Sequence, residues 1–337
     1  MQKRARLIYN PTSGRESFIH HLPDILKIYE QAGYETSTFQ TTSEPFSAKK
    51  EAARCATVGF DLIIAAGGDG TLNEIVNGIA EKEFRPKVAV IPAGTTNDFA
   101  RALHVPTRDF VAAAKVINKH RTVFMDIGKL KSHDTFYYFT NVAATGTLTE
   151  LTYEVSPQMK TAFGYLAYLI KGLQMLPQVR NEQIRVTYDG QVYEQEVAMV
   201  LIALTTSIGG FENIAPDKVM GDGEFTLIII QPSNLLEMAE IVRQLLESSN
   251  EQIHHPNLLY IKADEVKLEV LSGDRTMPVN LDGEYGGDLP AEFINLQQHI
   301  EFVADWEKFE SVDTEEKRMM EAQIQAEIDS IEKEYKK

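Results

Sequence analysis

Short apolar runs alternate with helical patterns over the first part of the chain. RARLIY, ETSTFQT, DLIIAA and KVAVIP have the pattern of strands, and segments with helical spacing follow them over residues 16–32, 48–58, 72–80 and 98–103. Strand–helix alternation with short connections predicts a parallel sheet covered by helices. We therefore predict an α/β nucleotide-binding domain over residues 1–120.

From about residue 121 the pattern changes, and strand-like runs follow one another. The runs are TVFMDIGKL, TFYYFTNVAA, IRVTYDGQVYEQEVAMVLIALT, EFTLIII, LYIKADEVKLEVL, MPVNLDGEY and FINLQQHIEFVA. Such succession is typical of an antiparallel sandwich or barrel-like domain, and Asp189-Gly190 is a two-residue hairpin signal. Helical patterns interrupt the strands at 147–176 and 233–248. We predict a mainly antiparallel, β-sandwich-like second domain over residues 121–303, with its final strand a candidate to return to the first domain.

Residues 304–337 have a pattern of their own. Met320, Ile324, Ile328, Ile331 and Tyr335 recur at three- and four-residue spacing, which predicts an amphipathic helix. Its polar face is mainly acidic, so a packed or dimerising appendage is favoured over a helix that lies on a membrane. We expect a homodimer.

Composition and charge limit the classes of protein to which the chain can belong. The 337 residues, 43% of them hydrophobic, exceed the usual span of one domain. The chain has no run of 18 apolar residues and no apolar leader pattern at its start, so we expect a cytoplasmic protein. The net charge of −16 disfavours nucleic-acid binding and requires any membrane contact to be local.

Cys55 lies among alanines, which favours packing in a helix over a reactive thiol.

The sharpest motif is GGDGT at residues 67–71, between a buried-looking strand and a helix that should begin near Leu72. Glycines and the N-terminus of a following helix let backbone N–H groups approach a phosphate. Asp69 would repel phosphate directly, so it should act through Mg²⁺ or through a lysine or water network. Taken alone, the motif is equally typical of a structural strand-to-helix turn.

Small and polar residues also follow three neighbouring strands, at NPTSG, at Thr41 and at PAGTTND. Ligands of open α/β sheets bind at the carboxyl ends of strands, so these segments together predict a nucleotide crevice. Neither the P-loop motif nor the protein-kinase motifs occur. The residues predicted to bind the nucleotide are Asn10, Pro11, Thr12, Ser13, Gly14, Thr41, Gly68, Asp69, Gly70, Thr71, Leu72, Asn73, Glu74 and Thr95.

The motifs NPTSG, GGDGTLNE and PAGTTNDFARAL resemble those of the soluble bacterial diacylglycerol kinases, in a superfamily that also holds sphingosine kinases and NAD kinases. YLAYLIKGLQMLPQ, GDGEFTLIII and VNLDGEYGG are similar to the Gram-positive type. The resemblance covers nearly the whole chain to about residue 303. It implies an NAD-kinase/diacylglycerol-kinase-like fold, ATP as phosphoryl donor, Mg²⁺ and a diacylglycerol-like lipid acceptor.

Two carboxylates, Asp282 and Glu284, lie in a turn at the end of a predicted strand. By itself the turn is as consistent with a plain hairpin. Phosphorylating an alcohol calls for a positioned base and for stabilisation of the phosphoryl charge. The resemblance implies that Glu284 is the proton acceptor and that Asp282 is its partner, with Asp69 as a third catalytic carboxylate.

Further acidic residues are candidates for holding a cation. The Asp222-Gly223 segment could be a turn or part of a hard-cation site. The resemblance implies a structural Mg²⁺ bound by Asp222 and by the carbonyl oxygens of Val219 and Glu224. The family often has an aromatic residue at position 224, but a carbonyl ligand would survive that difference.

Asp126 lies inside an otherwise apolar strand, where an unpaired charge is costly, so we expect it to have a partner. Asp98 could simply be the N-cap of a helix. The resemblance implies a water-bridged acidic network that links Asp98 and Asp126 with Asp69 and Asp222.

The apolar segment 161–176 is too short to span a bilayer, and it could pack in the core or receive acyl chains. Lys160, Lys171, Arg180 and Arg185 could form a local basic patch for transient contact with the inner face of the membrane.

The leading hypothesis is an ATP-dependent kinase that phosphorylates diacylglycerol. Alternatives are a kinase for another lipid alcohol, such as phosphatidylglycerol or a sphingoid base, an NAD kinase, and an ATP-binding regulator without turnover. The joint presence of Asp69, Asp222, Asp282 and Glu284 argues against a silent site.

Overall fold

A computed structural model describes residues 2–13, 18–94, 97–133, 135–146, 182–205, 221–247, 255–271 and 276–305. Several predicted features lie outside these ranges. They are Gly14, Thr95, Val219, the apolar segment 161–176 and nearly all of the C-terminal segment.

The first part of the chain is an alternating α/β unit. Its strands β1 to β4 are parallel and lie in the order β2-β1-β3-β4. All six residues of β3 are buried because helices cover both faces of the sheet, as parallel strands require. In chain order the elements are β1 (Lys3–Tyr9), α1 (Phe18–Gln31), β2 (Tyr34–Gln40), α2 (Ser47–Thr57), β3 (Leu62–Gly67), α3 (Asp69–Ile79), β4 (Lys87–Pro92), α4 (Asp98–Ala102), α5 (Phe110–Lys115) and a 3₁₀ helix (Val116–Lys119).

The second part is built mainly from antiparallel strands with one described helix. The elements are β5 (Thr122–Ser132), β6 (Thr135–Phe139), β7 (Val142–Thr145), β8 (Glu182–Tyr188), β9 (Gln191–Val197), β10 (Met199–Ala203), β11 (Phe225–Ile230), α6 (Leu235–Glu247), β12 (Leu258–Ala263), β13 (Glu265–Val270), β14 (Pro278–Leu281), β15 (Glu284–Asp288) and β16 (Ala291–Val303).

Sheet topology joins the two parts. A ten-stranded sheet runs β2-β1-β3-β4-β16-β13-β8-β9, with β5 paired to β16 and β6 paired to β5. A six-stranded sheet runs β12-β11-β10-β7-β14-β15. The long β16 pairs antiparallel with β5 and β13, and it pairs parallel with β4 where Phe302 lies opposite Val88. The end of the chain's last described strand therefore extends the sheet of the first part.

Apolar packing stabilises each part. One core fills the space between the parallel sheet and its helices, where the rings of Phe99 and Phe302 lie 4.7 Å apart. A second core lies between the two sheets, where Phe139 stacks on Phe225 with 6.0 Å between ring centroids. Burying one such side chain contributes roughly 1.5–3 kcal/mol. The predicted combination of an α/β domain with an antiparallel β-sandwich is confirmed.

The structure contains the predicted Asp189-Gly190 hairpin and the predicted packing of Cys55. Asp189 and Gly190 have φ of 45° and 79° and join β8 to β9 as the predicted two-residue hairpin. Cys55 is fully buried, and burial raises the pKa of its thiol to about 12, which fits a packing role. Among the described helices, none is long and apolar enough to cross a bilayer.

Candidate functional site

The GGDGT motif lies where β3 ends and α3 begins. The helix starts at Asp69, three residues earlier than predicted, with Gly68 as an extended N-cap. The first-turn amides of Thr71 and Leu72 point back to the carbonyl of Gly68, at 3.1 and 3.2 Å. The Leu72 side chain is buried in the core, and its backbone N–H is engaged within the helix.

The next strand end packs directly against this turn. A Cβ atom on Gly94 would lie 2.5 Å from the Cα of Gly68, so the two backbones meet at a distance that only glycine permits. Asn97 shapes the Gly94 loop, because its side chain accepts a hydrogen bond from Gly94 N at 3.1 Å and donates one to Gly94 O at 2.8 Å. Asn97 was not among the predicted site residues. In the structure Asn97 has a positive φ of 52°, a conformation that asparagine tolerates, and it lies directly before α4.

The ends of β1 and β2 complete this edge of the sheet. Asn10 N donates to Ala66 O at 3.0 Å, and Thr41 N donates to Tyr9 O at 2.9 Å. The side-chain oxygen of Asn10 accepts hydrogen bonds from both the amide and the hydroxyl of Thr12, at 3.0 and 2.9 Å. The structure thus brings the predicted segments at residues 10–13, 41 and 68–71 to one edge.

Glu74 was predicted to be one of the nucleotide-binding residues. In the structure its side chain contacts the N-terminus of α2. Its carboxylate accepts hydrogen bonds from the amides of Ala48 and Lys49, at 3.0 and 3.3 Å. These are first-turn amides of α2, a helix without a capping side chain of its own. Glu74 therefore stabilises the N-terminus of α2, since a carboxylate there satisfies unpaired N–H groups.

Asp69 lies in an electrostatically costly position. Burial, followed by the charges of Asp98 and Asp282, raises the pKa of Asp69 to about 7, although backbone N–H groups of Asp98 and Phe99 donate to it. A carboxylate in such surroundings favours a proton or a cation beside it. Asn97 is the N-cap of α4, and Asp98 is its first residue, so the N-cap expectation for Asp98 is wrong by one position.

Asp282 occupies the turn between β14 and β15 and accepts five hydrogen bonds. Four come from the loop between β6 and β7: the backbone amides of Thr140, Asn141 and Val142, at 2.7, 2.9 and 2.9 Å, and the Thr140 hydroxyl at 3.1 Å. The fifth comes from Asn73 of α3, at 3.1 Å. These hydrogen bonds therefore hold the Asp282 carboxylate in place. The bond from Asn73 joins the second part of the chain to α3, the helix that begins within GGDGT.

Glu284 is the first residue of β15 and lies opposite Leu281. Asp282 and Gly283 both have positive φ, 51° and 96°, and form the two-residue turn before it. Unlike Asp282, Glu284 is exposed. The hairpin thus separates a fixed carboxylate from one that can meet a substrate.

Two of the predicted metal residues, Asp222 and Glu224, lie in the loop at 221–224, and the third, Val219, is outside the described residues. The Asp222 carboxylate accepts a hydrogen bond from Glu224 N at 3.1 Å. Buried Asp126 has the partners that were expected, because it accepts from Gly223 N at 2.9 Å and from Gln298 N at 2.8 Å. Asp126 therefore anchors this loop to β16.

A neighbouring atom indicates that the loop suits a hydrated cation. Asn295 donates to Asp126 at 3.4 Å, and its side-chain oxygen is buried without a protein hydrogen-bond partner. An unpaired buried acceptor calls for a donor such as water. Asp222, in the loop that Asp126 holds through Gly223, carries carboxylate oxygens of the kind that Mg²⁺ prefers. Within the described ranges, no cluster of three or more His, Cys, Asp or Glu side chains forms a ready metal site.

Within the predicted acidic network, the charges of Asp98 and Asp282 act on Asp69 at the end of β3. Asp126 and Asp222 accept hydrogen bonds from the backbone of Gly223 and Glu224 in the loop at 221–224. The water bridges of the network stay a prediction. Of the predicted basic patch, only Arg185 is described, and it pairs with Glu194 at 2.6 Å and with Glu269 at 3.7 Å. These carboxylates offset its charge.

The fold and the site define a class of protein in which the glycine turn of an α/β unit lies close to a carboxylate carried by a β-sandwich. Residues 4–130 match the diacylglycerol kinase catalytic domain family, and residues 142–304 match the YegS C-terminal NAD kinase beta sandwich-like domain family. The chain belongs to the diacylglycerol kinase family, a family of lipid kinases.

Individual relatives support this membership. The chain is 50% identical over 301 residues to a diacylglycerol kinase of Staphylococcus carnosus, covering 89% of this chain and 95% of the relative. It is 48% identical over 313 residues to a diacylglycerol kinase of Bacillus subtilis, covering 92% and 99%. A crystal structure of a diacylglycerol kinase from Bacillus anthracis superposes with a TM-score of 0.69 at 25% identity, covering 91% of this chain and 98% of that one. Another structure from the same organism reaches a TM-score of 0.78 at 27% identity, covering 91% and 96%.

Proposed function

We propose that this protein transfers the γ-phosphate of ATP to the free hydroxyl of diacylglycerol and so forms phosphatidic acid. The observation that carries the proposal is the hydrogen bond between Asn73 and Asp282, which holds the carboxylate hairpin against the helix that begins at the glycine turn. Phosphate-binding groups and a candidate base thus belong to one cleft. The family and the relatives' names support the choice of a lipid acceptor.

In this mechanism the phosphates of ATP lie against the backbone of Gly68, Asp69 and Gly70. Glycines leave room for close approach, and the N-terminus of α3 contributes N–H groups and its positive dipole end. The remaining groups predicted around the nucleotide are Asn10, Pro11, Thr12, Ser13, Gly14, Thr41, Thr71, Leu72, Asn73, Glu74 and Thr95.

Glu284 accepts the proton of the lipid hydroxyl as the hydroxyl oxygen attacks the γ-phosphorus. The new oxygen–phosphorus bond forms while the bond from the γ-phosphorus to the bridging oxygen breaks, and ADP leaves. General-base assistance of this kind contributes about 10²- to 10⁴-fold. Asp282 keeps the hairpin fixed so that Glu284 stays in reach of the acceptor, and the exposure of Glu284 leaves it open to a lipid entering from outside.

Asp222, with the carbonyl oxygens of Val219 and Glu224, is the proposed set of protein ligands for Mg²⁺. When bound, the ion supplies positive charge that offsets the acidic residues and the phosphates. Asp126 keeps this loop against β16 through Gly223. The buried oxygen of Asn295 suits a water molecule bound to such an ion.

In the cell, we expect the enzyme to work as a cytoplasmic homodimer that contacts the inner face of the membrane transiently, because its acceptor resides there. The net charge of −16 limits that contact to a local surface. Flotation with vesicles of anionic and of neutral lipids tests the contact, and sedimentation equilibrium tests the dimer.

The decisive experiment incubates the full-length protein with γ-labelled ATP, Mg²⁺ and dispersed diacylglycerol, followed by organic extraction. Label in phosphatidic acid is expected, and omission of Mg²⁺ or addition of EDTA should abolish it. Parallel reactions contain phosphatidylglycerol, a sphingoid base or NAD. Label that enters one of these instead, or ATP binding without any transfer, contradicts the proposed acceptor.

The same assay tests the base. Glu284→Gln should lower kcat by at least about 10²-fold while ATP binding is retained. Glu196→Gln, on the exposed strand β9, is the matched control and should leave turnover unchanged. Near-normal turnover of Glu284→Gln would remove Glu284 from the mechanism.

A further inference from the structure

A row of polar side chains on α3 faces the second part of the chain. Asn73 and Asn77 are four residues apart and occupy one side of the helix, and Glu81 lies just beyond its C-terminal end. All three reach Tyr138 of β6. Asn73 donates to its carbonyl at 3.1 Å, Asn77 contacts its backbone, and Glu81 accepts a hydrogen bond from its hydroxyl.

Asn77 takes the place of a neighbouring strand. β6 is described as paired with β5 alone, so the outer side of Tyr138 presents a backbone N–H and C=O that need partners. The Asn77 amide nitrogen donates to Tyr138 O at 2.8 Å, and the Asn77 amide oxygen accepts from Tyr138 N at 3.1 Å. One side-chain amide thus satisfies both groups, as a strand would.

Asn77 also fixes the orientation of Asn73. Its amide nitrogen donates to the Asn73 side-chain oxygen at 3.0 Å and to the Asn73 carbonyl at 2.9 Å. With its oxygen engaged in this way, the Asn73 side chain directs its nitrogen toward Asp282, at 3.1 Å. A chain of hydrogen bonds therefore runs from β6 through Asn77 and Asn73 to the fixed carboxylate of the hairpin.

We propose that Asn77 is a positioning residue for phosphoryl transfer, acting through Asn73 on Asp282 and so on the placement of Glu284 relative to the glycine turn. It touches neither the proposed phosphate site nor the acceptor, and its kinetic consequences rest on the function proposed above. The inference deepens that function by assigning the contact that sets the spacing between the two halves of the cleft.

The test compares Asn77→Ala, Asn77→Asp and the control Glu83→Gln, which lies on the exposed segment after α3. Asn77→Ala should lower kcat about 5- to 30-fold, with the KM for ATP within about twofold of wild type, because the hydrogen bonds that orient Asn73 toward Asp282 are lost but the glycine turn is untouched. Glu83→Gln should match wild type in every measurement.

Asn77→Asp provides a readout that loss of stability alone would not produce. The new carboxylate can accept from Tyr138 N, but it competes with Asp282 for the Asn73 amide and adds a negative charge nearby. The acidic limb of the pH profile of kcat should therefore move to higher pH. Thermal melting first establishes the assay temperature at which each variant is folded.

Hydrogen exchange separates this inference from the function itself. The amides of Tyr138, Asn141 and Val142, which donate to Asn77 and Asp282, should exchange faster in Asn77→Ala than in wild type. Folded Asn77→Ala with wild-type kcat and pH profile would overturn the positioning role and leave the proposed function intact. A wild-type protein that phosphorylates no lipid would overturn the function, while the exchange rates would still test the contact.

Discussion

The side-chain amide of Asn73 donates a hydrogen bond to the carboxylate of Asp282 across 3.1 Å, although 209 positions separate the two residues in the chain. Asn73 lies one turn into the helix that begins at the glycine motif, and Asp282 lies in the hairpin that carries Glu284. The contact explains how two differently built parts of the chain can share one cleft. It also gives Asp282 a role in holding the fold together.

Replacement of Asp282 by alanine should destabilise the protein by roughly 2–4 kcal/mol, because the amides of Thr140, Asn141 and Val142 lose a charged acceptor. Urea unfolding of wild type and variant measures the change. Asp24→Asn, on the exposed side of α1, is the control and should change stability by no more than about 0.5 kcal/mol. A difference below that level for Asp282→Ala would mean that other groups fix the hairpin.

Two glycine substitutions distinguish packing from phosphate binding. Gly94→Ala places a Cβ atom 2.5 Å from the Cα of Gly68, and the backbone must shift, so we expect a loss of about 1–3 kcal/mol together with weaker ATP binding. A Cβ atom on Gly70 meets no atom within 4 Å, so Gly70→Ala should leave the stability unchanged or slightly higher. It should weaken ATP binding, because the methyl group takes up room proposed for the phosphates. Thermal melting and ATP titration measure both effects. Equal stability of the two variants would contradict the close approach of Gly68 and Gly94.

Asp126 holds the loop at 221–224 in place, so a change of Asp126 should weaken Mg²⁺ binding by this loop. Asp126→Asn keeps the shape of the side chain but weakens the bonds from Gly223 and Gln298, at 2.9 and 2.8 Å. We expect the Mg²⁺ concentration for half-maximal activity to rise about 3- to 10-fold, since loss of part of a charged hydrogen bond costs on the order of 1 kcal/mol. Titration of activity with Mg²⁺ at saturating ATP checks this. An unchanged midpoint would show that Asp126 does not support a metal site.

Periodicity predicted most strands and helices because their apolar spacing is local. It could not assign strands to sheets. LYIKADEVKLEVL was predicted as one run, yet β12 lies in the six-stranded sheet and β13 in the ten-stranded sheet, with Asp264 between them. Pairing depends on residues distant in the chain, so a single sequence carries little signal for it.

The candidate site, too, was predicted where its signals are local and missed where they depend on contacts distant in the chain. Motifs at strand ends identified the glycine turn and the Asp282 hairpin, since each is short and chemically specific. They did not indicate that Glu74 stabilises α2 or that Asn97 shapes the Gly94 loop, because both roles depend on packing between elements. Asn77 gave no motif signal at all, and only the geometry of β6 reveals its contacts.

The ionisation of Asp69 should appear in the pH dependence of stability. Its pKa is raised to about 7 in the folded protein, by burial and by Asp98 and Asp282, whereas an unfolded aspartate titrates near 3.9, a typical value. The folded state therefore binds more protons between these values, and the stability of the wild type should fall as pH rises through this window. Asp69→Asn removes that fall, so in EDTA the variant should be more stable than wild type by up to about 4 kcal/mol at pH 8, since one pKa unit corresponds to about 1.4 kcal/mol. The difference should shrink toward pH 4. Chemical unfolding at several pH values measures both curves, and Asp24→Asn provides the control for loss of an exposed charge. Parallel curves for Asp69→Asn and wild type would show that Asp69 ionises as freely as a surface carboxylate.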